Sequence, residues 1–187
     1  MTIIDYSQEH SGLVEDETIG LIHIYYGQGT GKTTKAVGQA IRTAGTGLSV
    51  DFVQFMKSDN SGEVPILEKI PNVHYWYAGD HPFIFSRGPE EIHYKHAQKA
   101  LGYALKAIES ETDLLICDEV LDTLLFKLLQ KEQILDLMKR CKKKIGLIIT
   151  GRDAPADFIE LADHVVELIE VKHPYYSGAR ARRGIEY

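Results

Sequence analysis

The chain has 187 residues, 44% of them hydrophobic and 26% charged, and a formal net charge of −6. That length suits one α/β domain with a sizeable core, and the acidic balance argues against a generic nucleic-acid coat, which needs a basic face. Its two cysteines, Cys117 and Cys141, form neither a metal-ligand spacing nor a disulfide framework, no apolar run is long enough to span a bilayer, and the N-terminus does not read as a secretory signal; a cytoplasmic protein without membrane attachment is the expectation.

Residues 1–18 are polar and acidic without periodicity, which predicts a flexible segment, or one that orders over a ligand or a neighbouring subunit. Residues 20–26 read as a first strand, apolar on both faces as a central parallel strand is. Gly27-Gln28-Gly29-Thr30-Gly31-Lys32-Thr33-Thr34 follows and leads into a helical pattern. Strand, glycine-rich loop, lysine, hydroxyls and helix make a phosphate-binding loop. The three glycines let the backbone take positive φ and approach an anion. Freed N–H groups and the helix N-terminus supply partial positive charge; Lys32 reaches outer phosphates and Thr33 is placed to ligate magnesium. The common pattern, G-x-x-x-x-G-K-[ST], would put its first glycine at position 26, which is Tyr26. This loop is therefore one residue short.

Residues 48–55 predict a second strand, completing a right-handed βαβ unit, and 64–70 a short helix. The aromatic stretch 73–78 predicts a third strand, followed by a long loop in which Phe83 and Phe85 either contact ligand or plug the core. Pro89 opens a helix over 89–110, on which His93 and His96 read as surface or packing residues rather than metal ligands. Residues 113–118 form a buried strand ending in Asp118 and Glu119, the second half of a nucleotide site, where a carboxylate holds magnesium directly or through water. Asp118 is also a candidate N-cap for a helix beginning near 120. Cys117 reads as a small core hydrophobe. Helices are expected over 120–129 and 131–141, with Leu121, Leu124, Leu125 and Leu128 facing the core. A strand over 145–150 ends in Thr150-Gly151-Arg152, where Arg152 is a candidate phosphate or ribose contact, the alternative being a surface arginine in a turn. A helix at 154–162, a strand at 164–171 and a basic, aromatic tail complete one α/β domain spanning 1–187.

The loop, Val53-Gln54-Phe55-Met56-Lys57, Cys117-Asp118-Glu119-Val120-Leu121, Ile149-Thr150-Gly151-Arg152, Val171-Lys172-His173-Pro174-Tyr175 and Arg182-Arg183-Gly184-Ile185-Glu186-Tyr187 occur in one order. In these motifs the chain resembles the ATP:corrinoid adenosyltransferases of the CobA/CobO/BtuR type, from about Gly20 to the C-terminus. The resemblance implies a RecA-like P-loop fold, mainly parallel sheet with helices on both faces, and usually a homodimer. It implies transfer of the 5′-deoxyadenosyl group of ATP to a Co(I) corrinoid with release of triphosphate, a flavin-type reductase supplying electrons. Carried over residue by residue, it makes Gly27 to Thr34 the phosphate loop, Thr33 and Glu119 the Mg2+ ligands with Asp118 adjacent, Lys32 the phosphate lysine, and Arg42 and Arg152 arginines near the nucleotide. Such a site needs no side-chain acid, base or nucleophile, because the cobalt carries the reaction.

Two positions depart from the family pattern. Gln28 stands where asparagine is common, and 79–85 stands where a G-x-G-F-T-W stretch packs aromatics on the corrinoid, so Phe83 and Phe85 are displaced and the tryptophan is absent. Two rival readings remain: a P-loop kinase or ATPase acting on the γ-phosphate, and a non-catalytic ATP-dependent corrinoid carrier.

Overall fold

Six parallel strands form one sheet: β1 (Ile22–Tyr26), β2 (Val50–Gln54), β3 (Val73–Tyr77), β4 (Leu114–Asp118), β5 (Gly146–Gly151) and β6 (His164–Glu167), in the order β3-β2-β4-β5-β1-β6. A computed structural model describes residues 20–58, 61–82, 84–110 and 112–185 of the chain, so the expectations for residues 1–18 and for Phe83 lie outside the described residues. β5 separates the strand that feeds the glycine-rich loop from the strand that ends in Asp118, which is the expected RecA-like arrangement. Among the described residues no helix is long and apolar enough to cross a membrane.

Whereas the edge strands β3 and β6 are partly exposed, the inner strands β2, β4 and β5 are buried on both faces because both faces are covered. Side chains alternate between them: Ile22, Ile24, Leu115, Cys117, Leu147 and Ile149 enter one core, Tyr25, Ile116 and Ile148 the other. α1 (Lys32–Gly45) covers the second face with Ala36, Ala40 and Ala44, spaced four apart on one stripe, and small side chains let it lie close on the sheet. α2 (Val64–Leu67) adds Leu67 there. The opposite face is covered by α3 (Glu91–Glu109), again through an alanine stripe, by α5 (Lys131–Cys141) through Ile134, Leu137 and Met138, and by α6 (Ala156–Leu161) through Phe158.

Several expected boundaries move. The predicted 120–129 helix shrinks to one turn, α4 (Asp122–Leu125), leaving Leu125 48% exposed. Here a tertiary bond overrides propensity, the Leu121 N–H donating to Thr150 O; locally, the Leu128 N–H closes a wider turn on Thr123 O and Lys127 takes a left-handed φ of 54°. β6 stops at Glu167 rather than 171, with Ile169 and Val171 exposed. α3 begins at Glu91, after Pro89. Glu90 and His93 form a reciprocal capping box, and His93 is buried with Nε2 3.0 Å from Pro82 O.

Because all strands run the same way, their carboxyl ends share one edge. There the chain leaving β6 crosses the glycine-rich loop. The Leu168 N–H donates to Tyr26 O at 2.7 Å, and the Gly29 N–H donates back to Leu168 O at 2.8 Å. A Cβ on Gly27 would stand 2.3 Å from Leu168 O, and one on Gly29 would stand 2.8 Å from the same carbonyl. Only Gly27 (φ 114°) and Gly31 (φ 99°) among the loop glycines take positive φ. Gly29, expected to need that freedom too, instead makes room for a neighbouring backbone. A Gly29→Ala substitution must push the 168 segment away and is expected to lower unfolding free energy by about 1–3 kcal/mol, read as a reduced urea midpoint at unchanged slope. An unaltered midpoint would show that this contact does not restrain the loop.

Candidate functional site

α1 begins directly at Lys32, with Gly31 as its N-cap and no side-chain cap or acidic residue in its first turn. The N–H groups of residues 32–34 have no partner within the helix, so this end offers an anion three donors and the positive end of the helix dipole. Lys32 folds over the loop, its Nζ donating to Gly27 O and Gly29 O at 2.7 Å each. Burial holds its ammonium below the usual lysine range, nearby Arg152 pushing the same way.

Beside the loop lies a connected polar set. Asp118, at the tip of β4, is fully buried. Its carboxylate accepts from Thr33 Oγ1 at 3.0 Å, Thr150 Oγ1 at 2.8 Å, Gln54 Nε2 at 3.4 Å and Lys57 Nζ at 3.4 Å. It does not cap a helix, since those donors occupy it and the following turn begins four residues later. Glu119 takes φ 61°, a left-handed conformation that is costly for a side-chain-bearing residue. Its N–H donates to Thr150 Oγ1 at 2.8 Å, and the turn directs its carboxylate to within 3.5 Å of Lys57 Nζ. Burial raises the Glu119 carboxyl to about 7; Asp118 and Asp122 add to the rise and Lys57 opposes it. For Lys57, burial works toward a lower pKa, but Asp118 and Glu119 outweigh it and hold the ammonium above its ordinary value.

These groups open on a cleft of about 560 Å³ that also reaches Thr34, Arg152, Gly184 and Ile185. Arg152 is oriented by Asp122: its N–H donates to Asp122 Oδ1 at 2.6 Å and its Nε lies 3.7 Å from Oδ2. Gln28 is exposed and its amide reaches Arg152 O at 3.4 Å.

The expected residues are thus unequally assembled. Gly27, Gln28, Gly29, Thr30, Gly31, Lys32, Thr33, Thr34, Asp118, Glu119 and Arg152 gather at one sheet edge. Arg42 does not join them: it is exposed in the last turn of α1, about 15 Å of helix rise from Lys32. Phe85 is 65% exposed on the 79–88 loop. Sequence reasoning gave no role to Lys57, Gln54 or Asp122. The first two were visible as polar residues just at or past a strand's carboxyl end; the acid at 122 carried no signal once a regular helix was assumed there.

The donor set fits magnesium. Among the described residues no group of three or more His, Cys, Asp and Glu is poised for a metal. Magnesium, however, keeps several waters and takes only one or two carboxylates plus phosphate oxygens from a nucleotide site. Thr33 Oγ1, Asp118 and Glu119 are such a set, and the Lys57 ammonium drawn among them shows that it attracts a cation.

A sequence profile of the family described as ATP:corrinoid adenosyltransferase BtuR/CobO/CobP matches residues 18–187. A corrinoid adenosyltransferase of Escherichia coli K12 is 32% identical over 175 residues, covering 90% of this chain and 86% of that protein. The corrinoid adenosyltransferase CobA of Salmonella typhimurium LT2 is 31% identical over 179 residues, covering 91% and 87%. Among solved structures, the flagellar accessory protein FlaH of Methanocaldococcus jannaschii superposes with a TM-score of 0.49 at 19% identity, over 80% of this chain and 71% of that one, too loose a likeness to argue from.

The raised Glu119 pKa has a sign that can be tested. Its carboxyl loses its proton near 4.5 in an unfolded chain and near 7 in the fold. Between those values the folded state binds the extra proton, so stability falls as pH rises. Relative to Glu119→Gln, the wild-type protein is expected to lose stability from pH 4.5 to pH 7 and to level off above, in denaturant midpoints measured across that range. A difference constant with pH would mean that this carboxyl is not buried as described.

Proposed function

This chain belongs to the ATP:corrinoid adenosyltransferase family, and on that premise we propose that it transfers the 5′-deoxyadenosyl group of ATP to a Co(I) corrinoid and releases inorganic triphosphate. Cobalt supplies the electron pair of the new cobalt–carbon bond. The bond between C5′ and the phosphate oxygen breaks, and its electron pair leaves with the triphosphate.

The observation that carries this reading is the form of the phosphate site. The loop is one residue short, and it opens on a cleft where Lys32, Lys57 and Arg152 converge with a helix N-terminus. A γ-phosphoryl transfer needs positive charge concentrated at one phosphorus, whereas departure of a whole triphosphate needs it along the entire chain. Lys32 exchanges the Gly27 and Gly29 carbonyls for phosphate oxygens. The first-turn N–H groups hold the phosphates in line, and Asp122 aims the Arg152 guanidinium across the cleft. Thr33 and Glu119 would hold magnesium, with Asp118 behind them. Bound there, magnesium neutralises charge developing on the leaving group.

The same reading takes a homodimer, a flavin-type reductase as the source of Co(I), and a cytoplasmic setting. The last is supported by Cys117 and Cys141, both buried free thiols that burial pushes up, Cys141 to about 12. Phe83 and Phe85 remain the proposed corrinoid contacts. Arg42 is left out of the nucleotide site because of its place on α1.

Anaerobic incubation with Mg-ATP and chemically reduced corrinoid tests the proposal, followed in the visible spectrum with identification of the phosphate product. Adenosylcorrinoid and triphosphate are expected in equal amounts, falling by about 100-fold or more in Lys32→Ala. Orthophosphate with unchanged corrinoid would replace this reading with an ATPase or kinase, and binding of both ligands without product would make the protein a carrier.

A further inference from the structure

Lys57 stands at the end of the run Val53-Gln54-Phe55-Met56-Lys57, just past β2. The chain two residues before it is anchored: the Phe55 N–H donates to Asp118 O at 3.0 Å and Phe55 is buried. From this base the side chain crosses to the phosphate loop. Nζ lies 2.8 Å from Thr33 Oγ1, 3.4 Å from Asp118 Oδ2 and 3.5 Å from Glu119 Oε1. The hydrogen-bond polarity is consistent throughout, with Thr33 accepting from Lys57 and donating to Asp118.

Those three oxygens are the ones a divalent cation would use. An ammonium and a divalent ion cannot share them, since two cations a few ångströms apart in a partly buried site, poorly screened by water, repel each other strongly. We propose that Lys57 is a specificity-determining residue, a tethered cation that closes the donor set to bare divalent ions and yields it to an ion arriving with a polyphosphate. A bare ion would have to drive Lys57 off its three partners and offer nothing in return. A metal–triphosphate complex carries net negative charge and presents oxygens that take the released ammonium. Lys57 thereby couples metal binding to nucleotide binding and becomes a further contact for the leaving group. The inference rests on Thr33, Asp118 and Glu119 being the metal site of the proposed reaction.

The test uses the full chain and Mn2+ as the probe, its free concentration read by electron paramagnetic resonance without nucleotide. Wild-type protein is expected to bind Mn2+ weakly, and Lys57→Met about tenfold or more tightly. Lys35→Met, which removes the same charge from a side chain lying 4.6 Å over the Tyr25 ring, is expected to behave as wild type. Metal-free tripolyphosphate, followed by calorimetry, should bind more weakly to Lys57→Met than to wild type. Circular dichroism checks that the variant is folded, and Lys57→Gln carries the same expectation if Lys57→Met does not fold. Unchanged Mn2+ affinity in the Lys57 variants overturns the inference, as does an equal gain in Lys35→Met, which would reduce the effect to net charge. If in that case Thr33→Ala still abolishes Mn2+-ATP binding, the metal site itself stands. If Thr33→Ala and Glu119→Gln both bind Mn2+-ATP as wild type does, the reading of the metal site falls.

Discussion

A buried carboxylate must be satisfied by donors, and the donors that satisfy Asp118 come from β2, the segment past it, β5 and α1. β2 contributes Gln54, which sits directly opposite Asp118 in the ladder and whose Oε1 accepts from Tyr75 at 2.6 Å. β5 contributes Thr150, α1 contributes Thr33, and the segment past β2 contributes Lys57. One charge thus ties the ends of neighbouring strands to the first turn of the phosphate helix. Thr150 also accepts the Glu119 N–H and so helps hold the strained turn that presents the second carboxylate. The site and the sheet edge are therefore one network, and a change at Asp118 would loosen the fold as well as the chemistry.

Much of this was legible in the chain. The glycine-rich loop after an apolar strand, and the strand ending in Asp118 and Glu119, each have a local pattern whose physics is local too. The second is weak alone, but a parallel sheet sends both to one edge, so the two patterns strengthen each other. The helices α1, α3 and α5 were found close to where expected because their apolar stripes match the face they cover. Misjudged segments lie where long-range bonds outweigh local preference. The leucine-rich stretch after 120 has helical spacing, yet it is held by bonds to β5 and broken at Lys127. β6 stops short of its β-prone continuation at Ile169 and Val171.

Two side chains show the limit of residue-by-residue transfer. Arg42 matched a pattern, but a helix that starts at the phosphate loop carries its eleventh residue far from it. Lys57 also lay in a recognised motif, but its role depends on meeting three oxygens from two other segments, which spacing cannot reveal. The tail illustrates the converse. Its Arg182-Arg183-Gly184-Ile185 stretch carried the family resemblance, and Gly184 and Ile185 line the phosphate cleft. Gly29, read as a residue freed to take positive φ, is instead a space left for the backbone at 168.

The sheet order also bears on how the molecule assembles. β1 carries the phosphate loop and has two strand neighbours, β5 and β6, both drawn from the C-terminal quarter of the chain. The nucleotide loop thus precedes, by most of the described chain, the strands that frame it. Until residues 146–167 are available, β1 has no strand to pair with, and its apolar residues lack their final cover. Parallel pairings this distant in sequence fold slowly and leave strand edges open meanwhile. A chain cut before residue 146 would have every glycine of the loop but no strand beside β1, so the phosphate site depends on a segment far along the chain from its own motif.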